Sequence, residues 1–278
     1  MEKLPTLRET VEQYGLLAKK SLGQNFLLDI NITQKIIRSS LAAQQKADFS
    51  DSQVFEVGPG PGGLTRAVLA ANPATMTVIE MDKRCIQIME DLRQAGYAQL
   101  NIVEGDALKF DFASAAQTSP HNHVVSNLPY NVSVPLLLGW LKQISLFESL
   151  TLMFQKEVAE RITAEPDHKN YGRLSVVAQL TCHIKTLMNL NPNCFVPAPK
   201  IWSTVLLFRP LDVIPTTEIL QKVEKITELA FGQRRKMLRQ SLKAYDNLDA
   251  VCQKLGIETT LRAENLTPQQ YLLLAQNL

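Results

Sequence analysis

Glu56-Val57-Gly58-Pro59-Gly60-Pro61-Gly62-Gly63 follows the short apolar run Gln53 to Val57 and precedes a helical stretch, Leu64 to Ala71. Glycine lets a backbone turn sharply and approach a ligand closely. The helix behind it offers free N–H groups and a positive dipole end. Strand, glycine-rich turn and helix in that order fit a cofactor-binding βαβ unit, although a purely structural tight turn reads the same way. The rest of the chain has to decide between them.

Working outward, Thr75 to Glu80, Leu100 to Val103, His123 to Ser126 and Leu150 to Phe154 read as further strands. Lys83 to Ala95 and Val134 to Ile144 read as helices between them. Strands alternating with helices predict an α/β fold with a mostly parallel sheet covered on both faces. Ile184 to Leu190 and Ser203 to Phe208 have no long helix between them and are expected to form an antiparallel pair at one sheet edge. Pro210 and Pro215 break the pattern, so a boundary is placed there, dividing the chain into residues 1–210 and 211–278. The second part is helical in period over Glu218 to Phe231, Arg234 to Lys243 and Leu248 to Leu255, with a last helix opening at Thr267-Pro268. No internal repeat or low-complexity tract is present.

The 278 residues carry a net charge of +2, with 45% hydrophobic and 20% charged residues. Such a chain folds into ordinary globular domains, and so weak a basic balance does not by itself argue for nucleic acid. No apolar run reaches the roughly 18 residues of a membrane span, and the polar start Met1 to Thr6 is unlike a signal peptide. A cytoplasmic location is expected, with no membrane partner. Cys85, Cys182, Cys194 and Cys252 are scattered, which predicts reduced packing cysteines rather than disulfides or zinc. His121 and His123 sit two apart without a third ligand, so no metal is expected.

Glu80 ends the second strand about 20 residues after the glycines, where an acid can accept both hydroxyls of a ribose. An exposed acid at a strand end would look alike, and a nicotinamide-dependent dehydrogenase stays open at this point. Two later motifs separate the alternatives. In Glu104-Gly105-Asp106-Ala107-Leu108, Asp106 can accept from an adenine amino group, with Ala107 offering backbone polarity. The fourth strand runs into Asn127-Leu128-Pro129-Tyr130, which no dehydrogenase needs. An exocyclic adenine amine is a poor nucleophile because its lone pair is delocalised into the ring. The Asn127 side-chain oxygen and the Leu128 carbonyl can accept from its two N–H groups and draw it toward tetrahedral geometry, with Pro129 fixing the turn. Tyr130 offers a flat face for the base. Catalysis is then mainly positioning. An ordinary Asn-x-Pro turn is the plainer reading of this tetrapeptide. Arg234, Arg235, Lys236, Arg239 and Lys243 cluster in the C-terminal part and can neutralise phosphates, or simply form a solvated helix face.

Taken together, these stretches resemble the ribosomal RNA adenine dimethyltransferase family, and most closely its bacterial small-subunit (16S rRNA) branch. Ser21 to Leu27, Glu56 to Thr65, Val78 to Asp82, Gly105 to Leu108 and Asn127 to Tyr130 follow in the family's order. Gln155 to Arg161, Tyr171 to Ser175, Phe195 to Lys200 and Phe231 to Lys236 extend the likeness over nearly the whole chain. The resemblance implies a class I, Rossmann-like methyltransferase sheet with a small all-helical C-terminal domain, and S-adenosylmethionine as cofactor. It implies that Asn25 and Leu27 touch the methionine part and that Gly58, with Gly60 in the same loop, lies under it. Glu80 would hold the ribose and Asp106 and Ala107 the adenine. Asn127 would contact the methionine end and the target amine, and Phe195 would oppose Tyr130 across the target base. The implied substrate is a pair of adjacent adenines in the 3′-terminal hairpin of 16S rRNA, in an immature small subunit, acted on by a monomer. Ile201-Trp202 departs from the family, which commonly has a valine and then a variable residue. A 23S rRNA adenine methyltransferase, a non-catalytic ribosome assembly factor and a DNA adenine methyltransferase remain as alternatives.

Overall fold

Every residue from Gln53 to Val57 is buried, as in a central strand covered on both faces. Side chains alternate across a strand, so its two faces meet different partners. Val54 joins a core with Ile36, Val68 and Met76. Phe55 turns to the other side, where its ring lies 5.6 Å from Phe112 and 6.3 Å from Phe147.

The computed structural model describes residues 4–16 and 25–278. In chain order the elements are α1 (Leu7–Gln13), β1 (Phe26–Leu27), α2 (Ile30–Gln44), β2 (Gln53–Val57), α3 (Gly63–Leu69), β3 (Thr75–Glu80) and α4 (Lys83–Gln94). Then come β4 (Leu100–Glu104), α5 (Phe112–Ala116), β5 (Asn122–Asn127), α6 (Tyr130–Lys142), β6 (Ser149–Gln155), α7 (Lys156–Thr163) and α8 (Arg173–Thr181). The chain closes with β7 (Cys182–Leu190), β8 (Phe195–Val196), β9 (Ser203–Pro210), α9 (Thr217–Gly232), α10 (Leu238–Ser241), α11 (Leu248–Leu255) and α12 (Pro268–Asn277). Among the described residues no helix is long and apolar enough to cross a membrane.

Two compact units emerge. The first holds the residues up to Gly139 together with Leu146–Lys156 and Lys185–Arg209. Its seven-stranded sheet runs β4-β3-β2-β5-β6-β9-β7. β4, β3, β2, β5 and β6 run parallel to one another, and β9 is antiparallel to β6. β9 and β7 take the edge expected from their sequence. α4 illustrates how the helices attach. Asp82 caps its start by accepting from the Arg84 amide. Cys85, Ile88, Met89 and Leu92 recur at helical spacing and are all buried. Each such side chain contributes roughly 1.5–3 kcal/mol when fully buried.

The second unit comprises Trp140–Ser145, Glu157–Ile184 and Pro210–Leu278. The division expected at residue 210 is therefore not a single cut. The region of α8 shares one core with the C-terminal helices, in which Tyr171, Val176 and Leu180 pack with Val223, Ile226 and Tyr271. Two buried hydroxyls fix this core, Tyr171 Oη donating to the Leu266 carbonyl at 2.9 Å and Tyr271 Oη to that of Ala263 at 2.7 Å. The helix expected over Arg234 to Lys243 is also shorter, because only Leu238–Ser241 is helical. The amides of Leu238 and Arg239 donate to Leu261 and Thr259, and Met237 bridges Arg262. Backbone groups tied to that segment cannot serve a continuous helix.

Candidate active site

In an open parallel sheet, ligands bind beyond the carboxyl ends of strands where the order reverses. Here that point lies between β2 and β5. The ladder joining them ends at Phe55↔Val124. Past it, the Ser126 hydroxyl donates to the Val57 carbonyl at 2.6 Å. The glycine loop leaves from one strand and Asn127-Leu128-Pro129-Tyr130 from the other.

A third piece of chain closes over the glycine loop. β1 pairs antiparallel with β8, setting Leu27 opposite Phe195 and Phe26 opposite Val196. A Cβ on Gly63 would stand 2.4 Å from the Leu27 carbonyl oxygen, so only glycine admits the strand here. Gly60 adopts φ +55°, and a Cβ there would meet the Phe26 ring at 2.9 Å. The Asn127 amide nitrogen donates to the Asn25 carbonyl at 3.2 Å. That bond fixes which end of the amide carries the oxygen and leaves Oδ1 as a free-standing acceptor. Ser21 to Gln24, the start of the family-like segment, lie outside the described residues.

Asn25, Leu27, Gly58, Gly60, Glu80 and Asn127 to Tyr130 line one cavity of about 70 Å³. Gly58, Glu80, Asp106, Ala107 and Pro129 line a second of about 650 Å³, within the roughly 300–1,000 Å³ of small-molecule sites. Gly58, Glu80 and Pro129 belong to both, so the two cavities adjoin at Glu80. One oxygen of Glu80, Oε1, accepts from the Met81 amide at 2.7 Å and the Asp82 amide at 2.9 Å. The other, Oε2, is buried and has no hydrogen-bond partner. Asp106 accepts from the Leu108 amide through Oδ1 at 3.0 Å. The site thus carries acceptors suited to a nucleoside: a carboxylate with an unmet oxygen for hydroxyls and a second carboxylate further along. Such an orphaned acceptor is costly until something donates to it.

Phe195 is buried and stands opposite Leu27, which lines the first cavity, but Phe195 is not itself among the lining residues. The Tyr130 and Ser203 hydroxyls share a hydrogen bond of 3.0 Å, which ties the ring at the start of α6 to the start of β9. Ser203 gave no signal in sequence, since its role rests on a contact between distant elements.

Glu56 has a place in the site that its motif alone does not reveal, although an acid inside an apolar strand is a signal. It is fully enclosed and accepts from the Thr65 hydroxyl at 2.6 Å. Burial pushes its pKa up to about 8, against the Thr65 hydrogen bond and with the Glu80 charge adding to the rise. Burial also raises the pKa of Glu80, opposed by the amides of Asp82 and Met81 on Oε1 and by that of Gly60, which faces the carboxylate without meeting hydrogen-bond geometry. A protonated Glu56 lets Glu80 carry charge beside it. Because the folded value lies above the ordinary 4.5, the folded chain keeps a proton that the unfolded chain releases. The stability this supplies is complete below pH 4.5 and is lost as pH rises to about 8. Glu56→Gln has no proton to lose. Its melting temperature is expected to gain on the parent's between about pH 4.5 and about pH 8, read by scanning calorimetry. A difference that stays flat over that span would show that Glu56 is ionised in the fold.

The remaining candidates fall elsewhere. His121 and His123 meet Glu148, which Lys46 also pairs at 2.9 Å. Among the described residues no group of three or more His, Cys, Asp or Glu is arranged to hold a metal. In the second unit, Arg234 donates through Nε to Glu264 at 2.5 Å and through Nη2 to the His168 carbonyl at 3.3 Å. Arg235, Lys236, Arg239 and Lys243 are exposed.

A model of the family described as ribosomal RNA adenine dimethylase matches residues 15–278. Ribosomal RNA small subunit methyltransferase A of Rhodospirillum rubrum is 43% identical over 98% of this chain and 92% of its own length. The protein of that name from Brucella abortus is 45% identical over 99% and 98%. Among solved structures, a dimethyladenosine transferase from Plasmodium falciparum superposes with a TM-score of 0.72 at 26% identity, covering 88% of this chain and 94% of that one. The 23S rRNA methyltransferase ErmE superposes with a TM-score of 0.66 at 23% identity over 91% and 99%, a likeness of fold alone.

Proposed function

The chain belongs to the ribosomal RNA adenine dimethylase family, and from that premise we propose which adenines it modifies and how its residues share the work. It is an S-adenosylmethionine-dependent enzyme that dimethylates adenine in ribosomal RNA. Its target is a pair of adjacent adenosines in the 3′-terminal hairpin of 16S rRNA. It meets them in an immature small subunit, in the cytoplasm, as a monomer without a metal.

One observation carries the reading. Asn127-Leu128-Pro129-Tyr130 ends the strand beside a cavity in which Glu80 keeps a buried carboxylate oxygen without a partner. Glu80 would hold the ribose of S-adenosylmethionine, Asp106 and Ala107 its adenine, and Asn25, Leu27, Gly58 and Gly60 its methionine part. When bound, the cofactor supplies an electrophilic methyl group on a positively charged sulfur, so no leaving group needs activation. Tyr130 and Phe195 hold the flipped target base between their rings. Asn127 Oδ1 and the Leu128 carbonyl accept the two N–H groups of its amine and localise the lone pair. After transfer the surplus proton passes to solvent, so no strong general base is required.

The test is transfer of labelled methyl from S-adenosylmethionine to unmethylated immature small subunits, with isolated large subunits in parallel, followed by nucleoside analysis. N6,N6-dimethyladenosine from the small subunit alone is the expected product. Transfer to the large subunit instead would move the target to 23S rRNA. No transfer with cofactor bound would make the chain an assembly factor.

The basic surface of the second unit is read as phosphate contact. Arg235→Ala and Lys236→Ala should each weaken subunit binding and lower the salt slope by about one, with cofactor affinity unchanged. Arg234→Ala should instead lower the melting temperature, because Glu264 loses its partner. If Arg235→Ala leaves the salt dependence untouched, this surface does not meet RNA.

A further inference from the structure

An indole is seldom left in water without use, since aromatic surface is among the most favourable to bury. Trp202 is 46% exposed and its neighbour Ile201 37%. They stand on the loop that joins β8 to β9, between the two aromatic anchors of the site. Phe195 begins β8 opposite Leu27. Ser203, the residue after Trp202, begins β9 and hydrogen-bonds the Tyr130 hydroxyl at 3.0 Å. Adjacent Cα atoms lie 3.8 Å apart, so the Trp202 Cα sits within about 9 Å of that hydroxyl. The loop is anchored just there, because the Trp202 carbonyl accepts from the Lys156 amide at 2.9 Å. The indole is thus a half-exposed apolar plane on a loop whose backbone is held next to the residue that bonds Tyr130, and Lys200 on the same loop is exposed as well.

We propose that Trp202 is a stacking platform for the unpaired base next to the target adenine. The inference rests on the assignment of Tyr130 and Phe195 to the target base. Extruding one base from a strand removes the stacking partner of its neighbour, which costs free energy. An aromatic face close to the target base replaces that partner. Stacking tolerates any base, so Trp202 adds affinity for single-stranded RNA around the target rather than reading its sequence. A nucleobase is favoured over a protein partner because the next residue, Ser203, bonds the Tyr130 hydroxyl and the same connection begins at Phe195, the two residues read as holding the target base.

The experiment uses the whole protein with Trp202→Ala and Trp202→Phe. In methyl transfer to immature small subunits, Trp202→Ala is expected to raise KM roughly 10-fold with kcat and the Kd for S-adenosylmethionine unchanged, and Trp202→Phe to retain most of the affinity. A second readout does not depend on activity. The chain has two tryptophans, and Trp140 is 1% exposed. Short oligoadenylate should therefore quench the parent's tryptophan emission and leave that of Trp202→Phe unaltered. Quenching together with a raised KM supports the proposal. Quenching in a parent that methylates no small subunit would overturn the substrate reading while keeping the platform. An unchanged KM in Trp202→Ala overturns the platform. So does a raised KM without quenching, which would place a ribosomal protein on the indole. Loss of cofactor affinity in Trp202→Ala would assign it a structural role and overturn the proposal equally.

Discussion

Asn127→Ala is expected to lose methyl transfer by about 10²- to 10³-fold in kcat, the usual effect of removing one positioned polar group from a reacting centre. The side chain is held before any substrate arrives, because its nitrogen donates to the Asn25 carbonyl at 3.2 Å. Its oxygen therefore waits in one orientation beside the cavity it lines. An acceptor placed in advance costs no reorganisation during reaction, and its effect falls on kcat rather than on ground-state binding. The Kd for S-adenosylmethionine should accordingly change only a few-fold. Asn127→Asp separates the two functions of the amide. It retains an oxygen but can no longer donate to Asn25, so its rate should fall between those of the parent and the alanine variant. Single-turnover transfer to immature small subunits, alongside calorimetric cofactor binding, measures both quantities. Turnover at the parent's rate in the alanine variant would remove Asn127 from the chemistry.

The parts of this site that could be read from sequence are those in which position along one strand decides position in space. The run Gln53 to Val57 and its glycine loop, Glu80 at the end of β3 and Asn127 at the end of β5 all lie at carboxyl ends of parallel strands. Parallel neighbours in register bring such ends together whatever lies between them. What sequence hid depends on contacts between segments far apart in the chain. The two-residue strand Phe26–Leu27 is too short for any periodicity, and its partner lies at Phe195–Val196. Ser203 is an unremarkable hydroxyl until it meets Tyr130. The long helix expected from Arg234 fails for the same reason, since its backbone amides are claimed by residues 259–261. α8 joins the helical unit because Tyr171 reaches Leu266, a link that composition near residue 210 could not reveal.

Glu80→Ala should weaken S-adenosylmethionine binding by about 10²-fold, in line with the roughly 1.5–3 kcal/mol of hydrogen bonds to a charged group. The structure separates this from a loss of fold. Oε1 supports the turn after β3 through the Met81 and Asp82 amides, while Oε2 is buried and meets no donor in hydrogen-bond geometry. Glu80→Gln keeps the first oxygen and removes the charge. The cofactor-free Gln variant should therefore melt no lower than the parent, because an unpaired buried charge has been taken away, yet it should bind cofactor more weakly. Its pH dependence gives a further check. The carboxyl pKa of Glu80 is raised, chiefly by burial, and hydroxyl groups donate best to the ionised form. The parent's affinity should be full above that pKa and decline as pH falls through it, whereas the Gln variant should lack this decline. Calorimetric titration across the acid range reads both curves. Parallel pH profiles for the two proteins, or unchanged affinity in Glu80→Ala, would mean that the unmet oxygen of Glu80 is not where the ribose sits.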